Sequence, residues 1–234
     1  MTKDSVVFAE HLYKRYGGGD WIFEDASFSV NSGDFLFLLG SSGSGKTTLM
    51  KIISGQESFD GGKVIVAGEN LRKLYPHHIY MWRRHLGVVF QDFRLLMDLT
   101  VEENIALPLV IMGFSRNEIK TRVSAVLRLV DLEGKRRIKC RLLSGGERQL
   151  VAIGRAIVHS PLLILADEPT GNLDDNHARR VLKLFSAFHK RGQTLIVATH
   201  DRRLPLWVEG AKIIMIQDRK FVEAIPVRKE EAKR

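Results

Sequence analysis

Nine consecutive residues carry the strongest chemistry in the chain: Gly40, Ser41, Ser42, Gly43, Ser44, Gly45, Lys46, Thr47 and Thr48. They fit G-x-x-x-x-G-K-[ST], the pattern of a loop that cradles phosphate. Gly43 and Gly45 let the backbone approach an anion and take positive φ where needed. Successive N–H groups then point into one concavity at a helix N-terminus, where the helix dipole also favours negative charge. Lys46 would reach β- and γ-phosphates as a point charge, and the Thr47 hydroxyl suits Mg²⁺.

Other candidates are weaker one by one. Tyr16 precedes the turn Gly17-Gly18-Gly19-Asp20 and could stack on a purine or simply pack at a strand end. Gln91 follows an apolar strand, a place for a ligand contact or for an ordinary turn. Leu143-Ser144-Gly145-Gly146-Glu147 reads as a capping box around two glycines, and a free hydroxyl there also suits an anion. Asp167 and Glu168 end the apolar run Leu162–Ala166, where ligands bind in open α/β sheets. Asp167 suits Mg²⁺, and Glu168 can take a proton from water. His200 ends another apolar strand and could touch phosphate or be a satisfied structural histidine.

The elements that must position these groups follow from periodicity and punctuation. Asp34–Leu39 is apolar enough for a buried strand ahead of the phosphate loop, and Thr48–Ile53 begins a helix after it. Ser5–His11 and Trp21–Val30 read as strands, as do Lys63–Ala67 and Leu86–Phe90. Thr100 with Glu103, and Ser115 with Glu118, are capping boxes that open two helices; the second runs to about Val130. Its apolar face is Ile119, Val123, Val126, Leu127 and Val130. A further helix is expected over Arg148–Ser160, ended by Pro161, and another up to about Lys190. Thr194–Ala198 is a buried strand. Lys212–Ile216 and Phe221–Ile225 should pair as a hairpin, and Pro226 onward is a charged tail. The expected fold is therefore α/β.

The chain has 234 residues, 44% hydrophobic, enough for a sizeable core. Its formal net charge is +9, which suits anionic ligands, an anionic membrane face or nucleic acid. Cys140 is the single cysteine, so no internal disulfide framework exists. The N-terminal residues show no signal-peptide pattern, and no apolar run approaches a membrane span; the longest, Ile105–Phe114, is broken by Pro108 and Gly113. A cytoplasmic location is expected.

In chain order these motifs resemble the nucleotide-binding subunits of ATP-binding cassette (ABC) proteins, over essentially the whole length. The resemblance implies a P-loop NTPase core with an N-terminal antiparallel β subdomain and an inserted α-helical subdomain at about 92–160. It implies one domain over 1–226 and a charged tail over 227–234. Tyr16 becomes the adenine-stacking aromatic, Gly40–Thr48 the Walker A loop and Gln91 the Q-loop glutamine. Leu143–Glu147 becomes the signature, with Ser144, Gly145, Gly146 and Glu147 beside the nucleotide. Leu162–Asp167 becomes Walker B and Asn172–Asp174 the D-loop, which adds Asp174 to the nucleotide-binding set. Glu168, the switch histidine His200, Gln91 and Lys46 form the catalytic set. Thr47, Gln91 and Asp167 face Mg²⁺. ATP then lies between two subunits, head to tail, which implies a homodimer or a dimer with a similar chain.

Phe90–Leu109 and Ala166–Asp174 resemble the FtsE-type ATPases of bacterial cell division in particular. That branch acts with an FtsX-type integral membrane partner on the cytoplasmic side of the inner membrane, regulating peptidoglycan hydrolysis. Phe93–Met97 and Ile105–Ile111 would form the docking groove. Lipoprotein-release or efflux ATPases share Pro169–Asp174 and offer an alternative partner. A soluble nucleic-acid-associated ABC ATPase is disfavoured: the Gln91–Ser144 interval has no room for a long coiled coil, and there is no zinc-type cysteine set. The basic run Lys135–Arg141 and the tail (Arg228, Lys229, Lys233, Arg234) are assigned to the anionic membrane face. Two departures from the family pattern stand out: Arg148-Gln149-Leu150 after the signature, and Thr47 in place of the commoner Ser.

Overall fold

The structure, a computed structural model, describes residues 5–171 and 173–222. The end of the expected last strand, the tail 227–234 and Asn172 of the expected 172–174 loop lie outside the described residues.

The chain builds two sheets. One has four strands in the order β2-β1-β4-β5: β1 (Ser5–Arg15), β2 (Trp21–Asn31), β4 (Gly61–Val66) and β5 (Glu69–Asn70), all antiparallel. The other has six strands in the order β10-β9-β3-β8-β7-β6. In it β3 (Phe35–Leu39), β6 (Leu86–Val89), β7 (Leu163–Asp167), β8 (Thr194–Thr199) and β9 (Lys212–Gln217) run parallel, and β10 (Lys220–Val222) pairs antiparallel with β9.

The six-stranded sheet is buried on both faces, which is why its strands read as unbroken apolar runs. Phe35, Phe37 and Leu39 face one core with Ile164, Ala166, Leu195 and Val197. Leu36 and Leu38 face the other, shared with the four-stranded sheet and α1 (Lys46–Ile53). Phe221 on β10 stacks on Phe23 of β2 at 5.2 Å and ties the two sheets together.

Between β6 and β7 lie three helices: α3 (Val101–Ile111), α4 (Arg116–Leu129) and α5 (Gly145–Ile157). All three open on the expected Thr100, Ser115 and Ser144 capping boxes. Their apolar residues Ile105, Leu109, Val123, Val126 and Leu127 enter the same core as the sheet. The last helix, α6 (Asp175–His189), is capped by Asp174, whose side chain accepts from the His177 amide.

Several boundaries differ from the sequence expectation. The first strand continues past His11 to Arg15, because a bulge near His11 (φ 50°) absorbs the break in alternation. Helix α5 begins at Gly145 rather than Arg148, since both glycines sit in its first turn. It ends at Ile157, before the left-handed Ser160. Asp167 belongs to β7 itself, paired opposite Ala198. Helix α2 (Pro76–Trp82) was not legible in sequence. Only one of its residues, Trp82, is buried, so no apolar stripe marks it.

Candidate active site

The loop Gly40–Gly45 joins β3 to α1; all of it but Gly40 and Ser44 lines a cleft of about 680 Å³ with Lys46, Thr47, Thr48, Ile22, Gln91, Glu168 and His200. Its tight course explains the glycines. A methyl on Gly40 would lie 2.4 Å from Ser44 Oγ, and one on Gly45 would lie 2.6 Å from Ile22. Gly45 has φ 103°, which side-chain-bearing residues rarely adopt. Gly43 is left-handed as well, at φ 79°. Lys46 is nearly buried, and its ammonium donates to the carbonyls of Gly40 at 2.8 Å and Ser41 at 3.0 Å. The loop thus holds its own cation in place beside the space a phosphate would fill.

Glu168 stands at the end of β7 in a left-handed conformation, φ 46°. For a non-glycine residue that costs about 1–3 kcal/mol and marks a constrained position. Three groups fix its carboxylate. His200 Nδ1 lies 2.9 Å from Oε1, Thr199 Oγ1 donates to Oε2 at 3.1 Å, and Lys46 Nζ is 3.9 Å from Oε1. A carboxylate only accepts, so His200 carries its proton on Nδ1 and turns Nε2 away from Glu168. Neighbouring strand ends, β7 and β8, therefore assemble the acid–histidine pair.

Asp167, the last residue of β7, lines a different side of the loop from Glu168. Its Oδ1 is buried with no hydrogen-bond partner. Burial pushes its carboxyl above the usual carboxylate range; the Thr47 hydroxyl opposes that shift and the charge of Glu168 adds to it. A buried, unsatisfied carboxylate oxygen next to a threonine hydroxyl and a phosphate loop fits a hard divalent cation. Gln91 lines both this side, with Thr47 and Asp167, and the main cleft.

Not every expected residue joins the cleft. Tyr16 is 48% exposed and lies outside the lining, with the Lys14 ammonium 4.5 Å from the ring centroid. Ser144, Gly145, Gly146, Glu147 and Asp174 lie outside it too. Ser144 and Glu147 cap α5 reciprocally, and Lys135 grips Glu147. Within one copy, then, the phosphate loop and the Leu143–Glu147 turn are separate surfaces.

Three positioning groups escaped the sequence reading. Thr199 is one. Arg155 on α5 is another: it donates to the carbonyls of Arg94 at 2.5 Å and Phe93 at 2.7 Å. Those two residues are both left-handed, at φ 47° and 59°, so the segment after Gln91 is clamped to α5. The third is Asn104, fully buried, whose amide serves Leu96 N and O and the Thr100 carbonyl. Its side chain also reaches Cys140 Sγ. Only the adjacency of Thr199 to His200 was visible beforehand; the other two depend on distant loops.

The expected docking residues divide. Ile105 and Leu109 are core, and Phe93 and Leu95 pack against it. Leu96, Met97, Val110 and Ile111 are exposed. The basic run is largely engaged: Lys135 with Glu147, Arg136 with Glu102, Arg141 with Asp98 at 4.0 Å. Arg148, one of the departures, donates to the carbonyls of Cys140 and Arg141, while Leu150 enters the core.

Comparison with known proteins gives the family and the fold. A family model described as ABC transporter matches residues 23–171. The cell division ATP-binding protein FtsE of Escherichia coli (strain K12) is 45% identical over 199 residues, covering 85% of this chain and 90% of that one. The FtsE of Bacillus subtilis (strain 168) is 39% identical over 213 residues, covering 91% and 93%. Among solved structures, the dimeric post-hydrolysis state of the ATP-binding cassette MJ0796 bound to ADP and Pi superposes with a TM-score of 0.85. It has 31% identity and covers 95% of this chain and 99% of that one. A phosphate loop facing a strand-end Glu168–His200 pair, inside a fold and sequence matched over more than half the chain, makes this protein a member of the ABC transporter family, an ATP-binding cassette ATPase.

Proposed function

We propose that the chain is the ATP-binding and hydrolysing subunit of an FtsE–FtsX-type complex, coupling ATP turnover to an integral membrane partner in bacterial cell division. The observation that carries the enzymatic part is Glu168, fixed by His200 and Thr199 within reach of Lys46. The cell-division part rests on similarity to relatives called cell division ATP-binding protein FtsE.

In this reading two copies close head to tail over ATP. Gly40–Thr48 of one copy holds the phosphates, with Lys46 moving from its own loop carbonyls to the β- and γ-oxygens. Ser144, Gly145 and Gly146 of the other copy cover the γ-phosphate, with Glu147 and Asp174 beside them. The separation of those two surfaces within one copy supports this arrangement, as does the dimeric form of MJ0796. Tyr16 offers adenine an exposed ring. Glu168 accepts a proton from the attacking water, Gln91 orients that water, and His200 Nε2 stabilises the transferring phosphoryl group. Thr47, Asp167 and Gln91 would hold Mg²⁺, which when bound neutralises phosphate charge.

The membrane partner would dock in a groove of about 520 Å³ between α2, the segment after Gln91 and the outer face of α3, where Tyr80, Phe90, Leu107 and Ile111 meet Arg84 and Arg94. The basic tail and the unengaged part of Lys135–Arg141 would face anionic lipid, in keeping with a cytoplasmic, peripheral location. Among the described residues no helix is long and apolar enough to cross a membrane.

The test is co-purification of the Glu168→Gln form from its native host with ATP and Mg²⁺. An FtsX-like membrane protein is expected. A lipoprotein-release or efflux permease would move the assignment to that branch, and nucleic acid without a membrane protein would overturn the membrane role.

A further inference from the structure

Gly146 is a glycine without a backbone reason. It lies in the first turn of α5, and its φ is not in the left-handed region. Glycine in a helix costs about 1 kcal/mol relative to alanine. Its neighbour Gly145 has open space where a side chain would start. At Gly146 the space is taken: a methyl would lie 2.5 Å from Cδ2 and 3.1 Å from Nε2 of His177.

His177 comes from another helix and is itself held. Asp174, the N-cap of α6, accepts the His177 amide on Oδ1 at 2.9 Å and meets its Nδ1 with Oδ2 at 2.7 Å. The carboxylate can only accept, so the Nδ1–H donates to it and the opposite ring edge lies against Gly146. Glu147, the next residue, is fixed by its capping bonds and by Lys135. Gly146 has no side chain of its own to be held, so the ring supplies the brace.

We infer that His177 is a positioning residue for hydrolysis: a strut, anchored on Asp174, that sets the Ser144–Gly146 turn at the angle needed to meet nucleotide held by a second copy. The inference rests on the two-copy site proposed above. It gives Asp174 a task inside its own copy and explains why the turn keeps a glycine that its conformation does not demand.

The experiment compares His177→Ala with its parent, both carrying Glu168→Gln, by light scattering at increasing Mg-ATP. Binding of a fluorescent ATP analogue to isolated monomers and thermal melting are measured alongside. Steady-state turnover is measured with Glu168 intact. The strut predicts that the ATP concentration at half-dimerisation, and the KM for ATP, rise about tenfold, equivalent to about 1.4 kcal/mol. Monomer binding should stay at the parental value because His177 does not line the phosphate-loop cleft, and Tm should too because the His177–Asp174 contact is solvent-exposed. Dimerisation of His177→Ala at the parental ATP concentration overturns the strut. So does a fall in Tm with KM unchanged, which marks a purely structural contact. Failure of the parent itself to dimerise removes the two-copy site, and the strut with it. Should His177→Ala not fold, His177→Gln is read in the same way, since it can keep a donor for Asp174 but puts no ring on Gly146.

Discussion

At the scale of single residues, neighbouring carboxylates at the end of β7 meet different surroundings, because Asp167 closes the strand and Glu168 turns left-handed just beyond it. Glu168 has donors on both oxygens, while Asp167 has an oxygen with none. Replacing Glu168 with Gln removes the proposed proton acceptor but keeps the shape. Turnover should fall by about a hundred- to ten-thousand-fold while ATP binding persists, as measured by release of phosphate against equilibrium binding. Lys46→Ala should instead lose nucleotide affinity. Asp167 makes a separate prediction about stability. Its folded carboxyl titrates above its ordinary value of 3.8, mainly through burial, so the folded form binds more protons than the unfolded form in that window. Stability therefore falls as pH rises from the ordinary value through the raised one, and stays lower above it. Asp167→Asn should melt at a higher temperature than the parent at pH 7 without nucleotide. That gain should vanish near pH 3, where both states of the parent carry a neutral carboxyl. A gain independent of pH would remove ionisation as its cause.

At the scale of elements, loops are fixed by side chains reaching across from helices. Asn104 adds side-chain hydrogen bonds to the sparse backbone pairing of Leu96–Thr100. Asn104→Ala removes the acceptor of the Leu96 N–H and empties the space of a fully buried amide, and should cost about 1–3 kcal/mol in urea unfolding. Arg155 holds the Phe93–Arg94 turn in a conformation that would otherwise relax. Arg155→Ala should speed hydrogen exchange over residues 90–97 while leaving the parallel strands protected. The segment after Gln91 and the helix that carries the Ser144–Glu147 turn are thereby one mechanical unit. A partner pressing on the groove beside Arg94 acts on both.

At the scale of the whole molecule, the two surfaces of the proposed two-copy site lie apart within one copy. The phosphate loop and the strand ends at Glu168 and His200 make one surface, and the N-terminal turn of α5 makes another. Ser144→Arg should leave monomer binding of ATP unchanged but block ATP-driven dimerisation of the Glu168→Gln form, read by light scattering. A dimer of undiminished stability would show that this turn does not face nucleotide. The shared core beneath α3, α4 and the six-stranded sheet makes the helical segment part of the same cooperative body. Motion between the two surfaces must then come through their connecting loops.

Local pattern in the chain made the phosphate loop, the buried strands, the three capping boxes and the acidic and histidine strand ends legible. Each of these is local: a spacing of glycines, an unbroken apolar run, a Ser or Thr three residues before Glu. It did not determine what those ends touch. That Glu168 is left-handed and shares a hydrogen-bond net with residues 31 and 32 positions away follows from β7 and β8 lying side by side. Helix α2 was silent because it buries almost nothing. Asn104, Arg155 and His177 were silent because their partners are loops and turns from other elements, and a hydrogen bond or a ring contact across the fold leaves no period in the chain. Those contacts exist only once the core has fixed where each helix lies, so they belong to the packed fold and to no single stretch of chain.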